Sequence, residues 1–274
     1  MNKFYYSLFT IAILLSLNGY GQNSADTLFL NEYNKQTSVK DSIHYYQIID
    51  EIKNGVYFVK RYTTSDVLIM TGGYTSFDPE VIKEGEFVYY YESGSVKANE
   101  HYKNNQQEGK EYNYYESGKL KLEANYVDGE YHGLFKTYYE NGNVKREDKY
   151  TNGKLKKGKC YSDEGKKINY YSYYIEAEYP GGMDEMMDYL AQETKYPLKM
   201  VEIGSQTRFS ISFCVDIDGS TTGIKLKKNQ GEIHPLFVEE AVRVIQNMPK
   251  WKPGLIDGEP VKSYFNLPFT FKLK

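Results

Sequence analysis

The sequence predicts a mostly β chain: an elongated antiparallel sheet of β-hairpin repeats, then an α+β domain with two helices on a small antiparallel sheet. Three observations carry that expectation. Gly85, Gly109 and Gly133 stand 24 residues apart, and each opens the same phrase, with tyrosine pairs at 90–91, 114–115 and 138–139. From Phe209 to Ile217, and again from Phe265 to Leu273, apolar residues alternate strictly with others, which is the period of a strand with one buried face. Between those runs Phe237, Ala241, Val244, Ile245 and Met248 form a helical stripe behind Pro235, a residue suited to a first helical position.

The chain begins with Lys3, an apolar run "LFTIAILLSL", and Gly19 and Gly21 as small residues before Gln22. Residues 1–21 therefore read as a secretory signal peptide cleaved before Gln22. The competing reading is an uncleaved membrane anchor, for which the 17 residues Phe4–Tyr20 reach only the bottom of the spanning range. No cysteine follows the run, which excludes lipid attachment there. Residues 22–54 give a weak signal and are expected to form a cap of strands or a short helix.

The repeat region spans 55–168. Residues 55–84 read as a degenerate first unit, followed by units near 85–108, 109–132 and 133–157 and a partial unit at 158–168. Gly94, Gly118 and Gly142 lie in "ESG", "ESG" and "ENG"; second turns fall at Asn104-Asn105, Asp128-Gly129 and Asn152-Gly153. A lone hairpin is marginal in water, whereas stacked ones bury each other's aromatic stripes. Asn105 stands where the other units have Gly, and Asn tolerates a left-handed backbone; Val is expected to cost less there than at Gly118. The 30 tyrosines of the chain are expected to pack across strands. An aromatic face for glycan or lipid headgroups is the sharper alternative. These units resemble MORN-type repeats, similar to those of a bacterial antitoxin family.

After a linker at 169–175 comes a domain at 176–274. Met183, Met186, Met187 and Leu190 recur at helical spacing after Pro180-Gly181-Gly182 and are expected to form a helix. Asp218-Gly219 marks a hairpin, and Ser220 to Lys228 the return strand. If the second helix crosses over strand one, the spatial order is two, one, three, which leaves the last strand at an edge. Pro268 suits that place, since proline has no N–H to give a ladder. Successive residues then face opposite sides: Asn266, Pro268, Thr270 and Lys272 the open side, Leu267, Phe269 and Phe271 the neighbouring strand.

No residue pattern points to chemistry. His44, His101, His132 and His234 lack ligand spacing, and Asp216-x-Asp218-x-Ser220 lacks the turn Gly and the ligand Glu of a calcium loop, having Thr221 and Lys227 in their places. Neither a nucleophile elbow nor a phosphate-binding loop is present. Net charge is −3, from 34 basic and 37 acidic residues, and no basic stripe is evident for nucleic acid. Cys160 and Cys214 are expected to stay unpaired, in separate domains. The expectation is a protein that is not an enzyme and needs no cofactor or metal.

Residues 176–274 resemble the C-terminal domain of TonB-type energy transducers of the Bacteroidetes envelope. The likeness rests on Tyr196-Pro197, the alternating strand, the Asp-Gly turn, "MPKWKPG" at 248–254 and "LPFTFKL" at 267–273. After Tyr-Pro the family has a small Ala and later "GIxGxV"; this chain has Met200 and then Gly204 to Phe209. In the family, the domain pairs with a short peptide at the start of outer-membrane receptors and relays force from an inner-membrane motor. The resemblance implies an exported protein of a Gram-negative periplasm or envelope. Its C-terminal domain would grip an extended segment of an outer-membrane or periplasmic partner by strand addition, at Asn266, Pro268, Thr270 and Lys272. A TonB-dependent receptor is the implied partner class. A full transducer also needs a motor-facing anchor and a Pro-rich spacer, yet Pro79 is the single proline between Gln22 and Tyr179. Two alternatives stay open: a true transducer with an uncleaved anchor facing the periplasm, and an envelope scaffold whose repeats are the binding surface.

Overall fold

The computed structural model describes residues 27–32, 34–78, 80–227 and 232–273; the expected signal peptide or anchor, and Pro79, lie outside them. No helix among the described residues is long and apolar enough to cross a membrane. The chain divides into two compact units, meeting between Ile168 and Asn169.

The first unit is one antiparallel sheet. Its strands are β1 (Thr27–Leu30), β2 (Tyr45–Lys53), β3 (Val56–Thr63), β4 (Leu68–Ser76), β5 (Ile82–Lys83), β6 (Gly85–Tyr90) and β7 (Val96–Lys103), then β8 (Gln106–Gln107), β9 (Gly109–Tyr114), β10 (Leu120–Val127), β11 (Glu130–Tyr131), β12 (Gly133–Tyr138), β13 (Val144–Thr151), β14 (Lys154–Tyr161) and β15 (Lys167–Ile168). Order in the sheet follows order in the chain, with the two-residue strands β5, β8 and β11 lying beside β4, β7 and β10. The region expected to form a cap of strands or a short helix contributes β1 and β2, which pair with each other, and β2 with β3. Its alternation is masked in sequence by runs such as Tyr45-Tyr46 and Ile48-Ile49.

Two turn chemistries build each repeat. At Asn104-Asn105, Asp128-Gly129 and Asn152-Gly153 both residues have positive φ, between 47° and 79°, the type I′ geometry that matches strand twist. The turns at 91–95, 115–119 and 139–143 have one left-handed residue each, Gly94, Gly118 and Gly142. There the amide of each Gly reaches back to Tyr91, Tyr115 or Tyr139, as in a type I turn closed by a glycine bulge.

Neighbouring repeats are stitched by their tyrosines. The hydroxyls of Tyr91, Tyr115 and Tyr139 donate to the carbonyls of Tyr114, Tyr138 and Tyr161 at 2.7, 2.7 and 2.8 Å. Lys97, Lys121 and Lys145 lie over the same three rings, at 5.7, 5.5 and 5.4 Å from the centroids.

The expected continuous aromatic stripe is broken. Phe87 packs edge-on to Tyr74 and Tyr102, and Phe135 to Tyr131 and Tyr150. The matching position in the middle repeat is Glu111, buried and bonded by Asn113 and Gln107 at 2.7 and 3.1 Å. One repeat later Arg146 and Asp148, both fully buried, pair at 3.0 Å. Gly72 lies under the Phe87 ring, where a Cβ would come within 2.3 Å.

The second unit holds β16 (Tyr174–Ile175), α1 (Gly182–Glu193), α2 (Leu198–Glu202), β17 (Thr207–Val215), β18 (Thr221–Leu226), α3 (Pro235–Gln246), β19 (Gly254–Ile256), β20 (Glu259–Val261) and β21 (Ser263–Phe271). The stretch expected as a linker is folded: β16 pairs with β19, and Asp257 donates its amide to Tyr173. A second difference is α2, a third helix in the loop that departs from the family pattern. Its Met200 is fully buried, so the larger side chain fills core space beneath the loop. Strands β18, β17 and β21 lie in that order, all neighbours antiparallel.

Candidate functional site: the open edge of β21

β17 and β21 share the core of this unit. Phe209, Ile211, Phe213 and Val215 face the same interior as Leu267, Phe269 and Phe271, all buried. Phe209 stacks on Phe269 and Phe271, with ring centroids 6.0 and 6.1 Å apart. Trp251 plugs one end, against Phe265 at 4.9 Å and Tyr179 at 5.4 Å. Tyr196 closes the other, edge-on to Phe271 and Phe237.

The hairpin between β17 and β18 is clamped to this core. Gly219 has φ +83°, and its carbonyl accepts from the Trp251 amide at 2.9 Å. Asp218 accepts from Lys250 Nζ at 2.8 Å and from the Ser220 hydroxyl and amide; the Lys250 ammonium, then Ser220, hold its carboxyl well below the usual carboxylate range. Both oxygens of Asp218 are thus engaged in fixing a turn. Asp218 itself is not left-handed, so the turn is a glycine-bulge turn like those of the repeats rather than the two-residue type that Asp-Gly suggested. Cys214 is buried on β17 and unpaired, as is Cys160.

Among the described residues β21 pairs on one side only, with β17. Its orientation follows from register. Ser210 lies opposite Pro268, and the Ser210 carbonyl accepts from Lys227 on the β18 side. Along an antiparallel strand the N–H and C=O of a residue point the same way, and successive residues alternate. Pro268 therefore turns its backbone to the open edge, together with Asn266 and Thr270. Leu267, Phe269 and Phe271 turn theirs to β17, and Leu273 continues that side by donating to Gln206 Oε1 at 3.2 Å. The side chains of Asn266, Pro268, Thr270 and Lys272 are exposed.

Beside that edge runs a groove of about 420 Å³ between α1 and β21. Pro268, Thr270 and Lys272 line it, whereas Asn266 does not. Its other wall is Met187, Leu190 and Ala191 of α1 and Thr194 just beyond it, with Tyr196 at the end. Of the four residues that recur at helical spacing, Met186 is buried and Leu190 packs half-buried against the core. Met183 and Met187 are 62% and 54% exposed. The helix carries two apolar stripes, and the outward one, at 183, 187 and 191, was legible as its own i, i+4, i+8 series.

Comparison with known proteins bears on both units. Residues 192–273 match the family model described as Gram-negative bacterial TonB protein C-terminal. Residues 83–104, 107–128 and 131–152 each match the MORN repeat variant model. Among solved structures, the NMR structure of the TonB C-terminal domain from Helicobacter pylori is similar at 20% identity, covering 35% of this chain and 87% of that one, with a TM-score of 0.27. The curated proteins contain no match. The chain thus carries a run of MORN-variant repeats within 83–152 and a TonB C-terminal-family segment at 192–273.

Proposed function

We propose that this is a non-enzymatic interaction protein of the Gram-negative cell envelope whose C-terminal unit captures an extended segment of a partner by strand addition. The supporting observation is the edge of β21 left open among the described residues, with the backbone groups of Asn266, Thr270 and Lys272 turned outward on either side of Pro268, beside the groove that Met187, Leu190 and Ala191 wall. An incoming strand takes ladder bonds from that edge, and its alternate side chains fill the groove against Met187 and Leu190. Methionine suits such a wall because its flexible thioether adapts to more than one partner side chain. The match of 192–273 to the C-terminal family of Gram-negative TonB proteins supports an envelope setting, and the partner class of this reading is an outer-membrane protein with an exposed extended segment.

Two proline substitutions test the reading. Phe269→Pro removes a bond to β17 and a buried ring, and is expected to unfold the C-terminal unit. Thr270→Pro removes an outward N–H, leaves circular dichroism and melting nearly unchanged, and abolishes capture of a partner segment in pull-downs from outer membranes. Unfolding by Thr270→Pro as severe as that by Phe269→Pro would place the strand inside a sheet and end the proposal.

A further inference from the structure

The two faces of the repeat sheet differ sharply at its C-terminal end. On β12–β14, Phe135, Thr137, Arg146, Asp148 and Cys160 are buried on one face. Strand alternation turns the intervening residues to the other. Those include Lys136, Lys145, Lys149, Lys157 and Lys159, and Lys167 of β15 lies opposite Tyr161 on the same side. Lys145 is engaged over the Tyr139 ring; against the other five lysines the outward positions of the four strands hold one carboxylate, Glu147, which is paired with Lys159 at 3.2 Å. Lys136 reaches Glu123 of β10 only at 3.9 Å.

The charge is local. Residues 145–167 contain nine Lys or Arg and four Asp or Glu, in a chain whose net charge is −3. Lys149 and Lys157 are direct cross-strand partners, an arrangement of like charges that weakens a sheet unless an anion lies between them.

We propose that this face binds an acidic polysaccharide, a glycan bearing carboxylates at regular intervals. Adjacent strands lie roughly 4.8 Å apart, about the length of one pyranose ring, so lysines on successive strands meet successive sugars. Tyr138 and Tyr161 stand half-exposed among the lysines and offer flat rings for sugars to stack on. No outward position of these strands is Arg, the residue favoured for bidentate contact with phosphodiesters, which argues against nucleic acid. Leu134 is the one aliphatic residue directed outward on β12, too little apolar surface for insertion at a membrane interface. The surface is independent of the β21 edge.

The probe is polygalacturonate oligomers, titrated into the full chain at low and moderate salt. Wild type is expected to bind, and to weaken as salt rises. Lys149→Glu with Lys157→Glu should weaken binding at least tenfold; Lys149→Arg with Lys157→Arg should retain it, and Thr270→Pro should bind like wild type. Should the charge reversal unfold the sheet, Lys149→Gln with Lys157→Gln supplies the same comparison. Absence of binding by wild type, unchanged binding by the Gln pair, or tighter binding of anionic phospholipid vesicles or of a single-stranded oligonucleotide would overturn the proposal.

Discussion

A Cβ on Gly219 would stand 2.1 Å from the Trp251 carbonyl oxygen, at a backbone φ of +83°. Close approach and left-handed backbone both exclude a side chain there, so Gly219→Ala is expected to cost about 3 kcal/mol, read as a lower melting temperature by Trp251 fluorescence. A Cβ on Gly118 meets no atom within 4 Å, at a φ of +81°, so the cost of Gly118→Val, about 1–3 kcal/mol, is expected to be mainly conformational strain. Asn105 reverses the expectation that Val would be cheaper there. Its Oδ1 accepts from the Lys83 amide at 2.8 Å and its Nδ2 donates to the Val81 carbonyl at 2.9 Å. These bonds span one repeat and have no equivalent at Gly129 or Gly153. Asn105→Gly, which restores the residue of the other units, should therefore destabilise by about 1–2 kcal/mol; a stability gain in urea denaturation would show that the turn, not the bonds, is what Asn105 supplies.

At the scale of elements, what could be read in sequence is what backbone geometry demands. The Asn-Asn, Asp-Gly and Asn-Gly turns were legible because few residues accept positive φ, and the place of β21 because Pro268 cannot serve an interior strand. The groove was not legible as such, since methionine suits a core as well as a partner surface, and Met186 and Met187 face opposite ways. Nor were the buried Glu111 and Arg146: the neighbouring repeats hold Phe87 and Phe135 at the position of the first, and Leu122 at that of the second. The tyrosine pairs were read as packing; their second member is also a fastener between hairpins. Tyr115→Phe keeps the ring and the Lys121 contact but loses the bond to Tyr138. It should cost about 1 kcal/mol, and because stacked units depend on their neighbours, the urea transition of the repeats should broaden. An unchanged transition would reduce the bond to an accessory of packing.

The whole molecule has a charge limit set by its phenols. In the repeat unit burial pushes up the hydroxyls of Tyr74, Tyr89, Tyr102, Tyr126, Tyr131 and Tyr138, while in the C-terminal unit it raises Tyr179 and Tyr189. A group whose folded pKa lies above its unfolded value near 10 binds more protons in the folded chain across the interval between them. Stability is then present in full below pH ~10 and is lost as pH rises toward the folded values. Because more of these tyrosines lie in the repeats, that unit should give way first. Trp251, the single tryptophan, is in the C-terminal unit and reports it separately. On raising the pH above ~10, loss of strand circular dichroism and growth of tyrosinate absorbance are expected before the Trp251 emission shifts to longer wavelength. If the Trp251 shift comes first, the buried phenols of the repeats are not what limits the chain in alkali, and the C-terminal core is the weaker of the two.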